Sequence, residues 1–107
     1  MLGLRHDDPE LLEALDLTWD DETGFLGRLR GGEFVQELAV AYVELLGEVD
    51  PVEDELVNAS FVKLLWFMPV FIEWQIERVV EAGTPREDVE RILDLATTRI
   101  MDILGVP

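Results

Sequence analysis

The side chains that could act as nucleophiles or general bases are few and lie far apart in the sequence. The 107 residues include one histidine, His6, one serine, Ser60, and no cysteine. Hydrolysis through a serine requires a neighbouring histidine that a carboxylate holds in place, and no sequence spacing brings Ser60 to His6. The lack of cysteine also removes thiolate nucleophiles and thiolate zinc sites. We therefore expect that this chain is not an enzyme.

Carboxylates are plentiful, yet their spacing predicts solvated helix faces rather than metal sites. Glu73, Glu77 and Glu81 recur every four residues and so share one helix face. Helical di-iron sites use Glu-x-x-His pairs on two helices, which a single histidine cannot supply. Residues 16–27 look like a calcium loop, but the positions that need glycine and glutamate hold Asp21 and Gly27. We expect neither a metal nor a cofactor.

The charge balance indicates what kind of partner the chain can meet. There are 24 Asp and Glu residues against 8 Lys and Arg residues, which gives a net charge of −16 at pH 7. Such a charge repels nucleic-acid phosphates and anionic membranes, and it accelerates encounter with a cationic protein. Adaptation to high salt or the codon bias of a GC-rich genome explains the acidity about as well. The sequence thus predicts a cationic protein partner, with no direct binding of nucleic acid and no membrane association.

Length and apolar content predict a single folded domain over residues 1–107. A chain of this size has room for one core, and an apolar fraction of 49% is too high for a disordered acidic tail. The longest apolar run, residues 64–72, is too short to cross a bilayer. The first residues lack the apolar stretch of a signal peptide. We expect a soluble, cytoplasmic domain whose residues 1–7 are mobile.

The apolar periodicity predicts an all-α fold of five helices, over residues 10–17, 18–30, 33–47, 51–82 and 85 onward. Short connections between them favour an up-and-down bundle. Pro69 lies inside the long fourth helix and must kink or divide it. The fifth helix has the clearest start, with Thr84 as the N-cap, Pro85 at the first helical position and Glu87 at the third.

The long fourth helix is apolar on two opposite faces. At 100° per residue, one face forms an ordinary core stripe of Val57, Phe61, Leu64, Leu65, Met68, Phe71, Ile72 and Val79. The other face carries Trp66, Phe67, Val70 and Trp74 beside Lys63, Glu73 and Glu77.

Three explanations of the second apolar face remain open. The helix could be central, with the other helices covering both faces. The second face could pack against another copy of the chain. It could also bind a different protein, with Trp66 and Trp74 as anchors and acidic residues as a charged rim.

The acidic residues near two helix junctions are candidates for steering a cationic partner. They are Asp20, Asp21 and Glu22 at the first junction, and Glu48, Asp50, Glu53, Asp54 and Glu55 at the second. In an up-and-down bundle these junctions could lie at the same end. We therefore predict a non-enzymatic acidic binding protein that neutralises or masks a cationic protein, such as a toxin or nuclease domain. Its class would be an immunity protein, an antitoxin or a nucleic-acid-mimicking inhibitor.

A second hypothesis keeps the helical fold and changes the function. In it the chain is a homodimeric helical scaffold or regulatory domain, with itself as the partner, and its acidity is a trait of solubility or habitat. A third hypothesis is an enzyme or small-ligand sensor with a site inside the bundle.

Overall fold

The computed structural model describes residues 3–107, and within that range the chain forms six helical segments and no strand. The segments are α1 (Pro9–Leu17), α2 (Phe25–Arg30), α3 (Gln36–Gly47), α4 (Ala59–Leu65), α5 (Met68–Glu81) and α6 (Arg86–Leu104). Only Trp66 and Phe67 separate α4 from α5, so these two segments are the halves of one broken helix. Counted in this way, the predicted all-α bundle of about five helices with a proline-broken fourth helix is confirmed.

The fourth helix divides next to Pro69, which occupies the first turn of α5. Proline has no backbone N–H to continue the ladder of α4, and its ring crowds the carbonyl four residues earlier. The helical bonding then resumes where the Phe71 N–H donates to the Phe67 carbonyl at 2.9 Å. The sequence therefore located this break correctly.

The same helix begins eight residues later than predicted, at Ala59 rather than at residue 51. Asn58 supplies the cap, because its side-chain Oδ1 accepts a hydrogen bond from the Phe61 N–H at 3.0 Å. The preceding residues are irregular, and the Val52 N–H donates to the Ile103 carbonyl at 2.8 Å instead of entering a helix. A contact with α6 thus replaces the local helical bonding that the sequence predicted.

The predicted cap of the last helix is also wrong. Thr84 donates its backbone N–H to the Val79 carbonyl at 2.9 Å, which closes the end of α5 around Gly83 at φ 114°. Pro85 then has an extended ψ of 130° and takes the cap position, with no side-chain hydrogen bond to the first turn. The helix therefore starts at Arg86, one residue later than predicted.

The N-terminal segment was expected to be mobile; within it, Leu4 and His6 contact the rest of the chain, while Arg5 and Asp7 are exposed. The Leu4 N–H donates to the Glu48 carbonyl at 2.8 Å, and the Asp50 N–H donates back to the Leu4 carbonyl at 2.7 Å. His6 is only 5% exposed, and its Nδ1 accepts the Asn58 N–H at 3.0 Å. The first two residues of the predicted mobile segment lie outside the described range.

These contacts fix the direction of α1 relative to α4. His6, just before α1, contacts Asn58 at the start of α4, while Trp19, just after α1, donates its indole N–H to the Leu64 carbonyl near the end of α4 at 3.3 Å. The two helices therefore run in the same direction, a departure from strict up-and-down order. The longest helix, α6, packs against α3 and α5.

One core fills the space between the helices. Each element contributes to it, with the largest fully buried side chains being Phe61, Leu11, Leu15, Leu26, Leu29, Leu46, Leu65, Met68, Ile72, Val79 and Val89. The described chain measures 43 × 29 × 25 Å along its principal axes, as expected for a compact globule.

One helical stretch, Ala59–Glu81, is long and apolar enough on length and composition to cross a membrane, with a mean hydropathy of 1.2. Core helices of soluble proteins meet the same criterion. Here the stretch is broken between α4 and α5, and it places Phe61, Met68 and Ile72 in the core.

Candidate partner-binding face

The outer face of the broken fourth helix, from the end of α4 into α5, exposes three large apolar side chains in a row. Trp66 is 59% exposed, Val70 is 39% exposed and Trp74 is 64% exposed. They recur every four residues, and eight helical residues span about 12 Å. We call these three residues the ridge. Because no helix within residues 3–107 covers it, the explanation of a central helix with two buried faces is wrong.

Phe67, which was predicted to share this exposed face, lies half-buried beneath the ridge. Its ring centroid is 5.4 Å from that of Trp66 and 5.4 Å from that of Trp74. It also stacks on Trp19 at 6.5 Å and contacts Phe71 at 6.0 Å. Such offset and edge-to-face pairs stabilise aromatic clusters beyond the area that they bury. Phe67 therefore supports the two ridge tryptophans from below.

Two open grooves flank the ridge. The first, of about 440 Å³, lies between α5 and α6. Its apolar surface comes from Val70, Leu93 and Met101, and its charged side chains are Glu73 and Asp94. Both carboxylates are exposed, and neither takes part in the ion pairs formed within residues 3–107. We call this the acidic groove.

The second groove, of about 350 Å³, lies on the side of α1 and α4 and is lined by Trp19, Phe67 and Phe71 among others. Its charged side chains are Arg30, Lys63 and Asp16, so cations outnumber acids. We call this the aromatic groove. Because Asp21 also pairs with Arg30 at the edge of this groove, its charges are nearly balanced, whereas the acidic groove is lined by two carboxylates and no cation.

In the aromatic groove, Arg30 already interacts with several other residues of the chain. The Arg30 guanidinium lies 5.7 Å from the centroid of Trp19 and 5.8 Å from that of Phe71, at cation–π distance. It also pairs with Asp21 at 3.3 Å, while its backbone carbonyl accepts from Arg78 at 2.9 Å. These contacts hold α2 against α5.

The first group of predicted steering acids lies beside this aromatic groove. Asp20 shapes the turn after α1, since its carboxylate accepts the backbone N–H and hydroxyl of Thr23 and the N–H of Glu22. These hydrogen bonds, the one from the Thr23 backbone foremost, lower the pKa of Asp20 below its ordinary 3.8. Asp21 pairs with Arg30, and Glu22 is exposed.

The second group of acids lies at the other end of α1. Glu55 pairs with Arg5 at 2.8 Å, and the Glu48 carbonyl binds Leu4 ahead of α1. Asp50, Glu53 and Asp54 belong to the same segment of chain. The nine residues of α1 span about 13 Å, and they separate the two groups of acids. The possibility that both groups lie at the same end of the bundle is therefore wrong.

The two acids predicted on the long helix itself differ in their contacts. Glu73 lines the acidic groove and is open to solvent. Glu77 is exposed and forms an ion pair with Arg86 at 2.7 Å, which joins the end of α5 to the start of α6. Of these two acids, only Glu73 forms no ion pair within the described residues and can meet a cation beside the ridge.

Sequence reasoning missed three residues of this face. Trp19 lies in the junction after α1 but joins the aromatic contacts beneath the ridge. Met101 is 44% exposed, and with Asp94 it belongs to α6 on the far wall of the acidic groove. Met101 lies off the apolar stripe of its helix, and that signal could have marked it as exposed.

Neither groove beside the ridge is lined by histidine or serine. His6 uses its Nδ1 to accept the Asn58 N–H, so that nitrogen supports the start of α4. Across residues 3–107, histidine, aspartate and glutamate form no group of three or more that could hold a metal ion. No protein-family model, curated protein or solved structure matches the chain. Its function is therefore inferred from its own surface.

Proposed function

We propose that this chain is a non-enzymatic acidic binding protein that masks a cationic protein partner through the ridge. The observation that carries the proposal is the exposure of Trp66 and Trp74, at 59% and 64%, on a helix whose other face is core. Tryptophans that become buried at the centre of an interface are among the side chains that contribute most to affinity. A contiguous exposed apolar patch is also typical of a binding surface.

The charge supports the choice of partner. A net charge of −16 attracts a cationic surface over a distance of about a Debye length and speeds encounter. The acids at both ends of α1 add to this attraction, while Glu73 lies beside the ridge itself. A partner that normally binds phosphates, such as a nuclease or toxin domain, has the required charge. The corresponding class of protein is an immunity protein, an antitoxin or a nucleic-acid mimic.

A second copy of the chain is the competing occupant of the ridge. A homodimeric scaffold would bury the same side chains, but it would bring together two molecules that each carry −16. Self-repulsion of that size opposes association at low ionic strength. Sedimentation of the isolated chain separates the two functions, since a monomer supports a different partner and a dimer supports the scaffold. The measurement is made at about physiological salt, where the Debye length of about 8 Å leaves part of this repulsion unscreened.

The proposal is tested by capture of the partner from the native host, followed by reconstitution with the purified partner. We expect a basic protein whose dissociation constant rises steeply with salt. The double variant Trp66→Ala and Trp74→Ala should lose binding, whereas Leu56→Ala should retain it. Leu56 is 94% exposed and lies in the irregular segment before α4, away from the ridge, so it is an apolar control. A neutral partner, or affinity unaffected by salt, would contradict the proposal, as would a stable dimer.

A further inference from the structure

The acidic groove has the composition of a surface that binds a chain both apolar and basic. Its apolar wall contains Val70 of the ridge, with Leu93 and Met101 opposite. Glu73 rises from one wall and Asp94 from the other, and both lack a cationic partner among the described residues. Such carboxylates are available for charge-assisted hydrogen bonds to lysine or arginine.

The geometry of the groove fits a helix. Its walls are two consecutive helices joined by a short turn, with an ion pair between Glu77 and Arg86 at that turn. Side chains at i, i+4 and i+8, as in the ridge, form the row against which a third helix packs its own row. Recognition by strand addition needs a free strand edge, and residues 3–107 contain no strand. A partner helix of at least about two turns would match the 12 Å of the ridge.

The charges on the two sides of the ridge determine which groove a basic helix would occupy. A basic helix placed in the aromatic groove would meet Lys63 and Arg30, and the acids there are Asp16 and the Asp21 that already pairs with Arg30. Placed in the acidic groove, it would meet Glu73 and Asp94. Like charges brought together at an interface cost affinity and exclude wrong registers. The acidic side is therefore the favoured one.

We infer that the partner presents a basic amphipathic helix, which lies in the groove between α5 and α6 on the Val70 side of the ridge. This inference rests on the proposed function and specifies its contact. Apolar side chains of that helix pack on Val70, Leu93 and Met101 in the groove and against Trp74 of the adjoining ridge, and its lysines or arginines bind Glu73 and Asp94.

A designed peptide tests this contact without knowledge of the partner. The probe is an 18-residue Leu/Lys helix with leucines on one face. A second peptide has the same composition in scrambled order, and a third has glutamate in place of lysine. We expect the amphipathic basic peptide to bind at least about tenfold more tightly than the scrambled one, equivalent to about 1.4 kcal/mol. The acidic peptide should not bind.

Matched variants of the chain separate the groove from general attraction. Glu73→Gln with Asp94→Asn and, at the distal segment, Glu53→Gln with Asp54→Asn remove the same amount of charge. Asparagine suits the distal position because Asp54 has a φ of 47°. The groove pair should weaken the peptide about tenfold and the distal pair less than about twofold, since only close charge pairs contribute strongly. Equal weakening by both pairs would overturn the inference.

Other occupants are tested with the same protein. If zwitterionic vesicles bind the chain and change the fluorescence of the ridge tryptophans, the occupant of the groove is a lipid surface and the helix inference is wrong. If the chain sediments as a dimer and the Val70→Arg variant sediments as a monomer, the occupant is a second copy of the chain and the helix inference is wrong. If the captured partner needs Trp66 and Trp74 but the Leu/Lys peptide fails to bind, the proposed function stands and the helix inference falls. If the partner ignores the ridge substitutions, the proposed function itself falls.

Discussion

The two grooves beside the ridge share one helix and differ in what their side chains already do. In the aromatic groove, Arg30 is paired with Asp21 and stacked near Trp19, and the indole of Trp19 is bonded to Leu64. In the acidic groove, Glu73 and Asp94 form no ion pair within the described residues. This difference indicates that the aromatic side supports the ridge, and the acidic side is the one that we propose as the contact with a partner.

The largest expected effect is on stability, and it tests whether the aromatic groove is structural while the acidic groove is not. Phe71 is 5% exposed at the base of the aromatic groove, so Phe71→Ala should lower the free energy of unfolding by about 3–5 kcal/mol. Met101→Ala, on the wall of the acidic groove, should cost less than about 1 kcal/mol because its side chain is half-exposed. Urea denaturation of both variants measures the contrast. Similar losses at the two positions would show that both sides are structural.

The second effect separates the three tryptophans by function. Trp74→Ala should weaken partner binding by about 30-fold, which corresponds to about 2 kcal/mol for an interface anchor, with little change in stability. Trp19→Phe removes the N–H that Leu64 accepts and should cost about 1 kcal/mol of stability while leaving affinity nearly intact. Calorimetric titration and thermal unfolding of each variant check the pair. The reverse pattern would place the contact on the wrong side of the ridge.

The third effect tests the sign of the charge on each side. Glu73→Lys reverses a carboxylate of the acidic groove and should weaken the partner by about tenfold. Lys63→Glu, a reversal in the aromatic groove, should leave affinity unchanged or raise it by less than about twofold. The dissociation constants of both variants at low and high salt provide the measurement. A loss on Lys63→Glu equal to that on Glu73→Lys would contradict the assignment.

The smallest effect concerns the acids that lie far from the ridge. Glu53→Gln with Asp54→Asn should slow association by about twofold and leave dissociation unchanged, because distant charges act on encounter rather than on the formed contact. Stopped-flow mixing with the partner resolves the two rates. Faster dissociation in this variant would mean that the distal segment touches the partner directly.

Local sequence signals predicted one part of the fold and failed for another. The 3.6-residue period separated Met68 and Ile72 from the exposed Val70 and Trp74, and Pro69 marked the break. These features depend on residues within one helix. The buried position of His6 and the opposite locations of the two acidic groups depend on which distant segments pack together, which periodicity does not encode.

The candidate face shows the same limit. The ridge could be predicted because its residues follow one another on a single helix. The charge difference between the grooves could not, because Asp94 comes from α6 and Arg30 from α2. The proposed contact surface is assembled from several helices, and only the tertiary structure shows which of their residues are neighbours.

The most direct test of the account is a nuclear magnetic resonance titration of the labelled chain with its purified partner. Methyl signals of Val70 and Met101 report the acidic groove, and the indole signals of Trp74 and Trp19 report the ridge and the aromatic groove. The account predicts that the signals of Val70, Met101 and Trp74 shift or broaden, while the indole signal of Trp19 does not change. Changes at Trp19 with unchanged signals at Val70 and Met101 would contradict it.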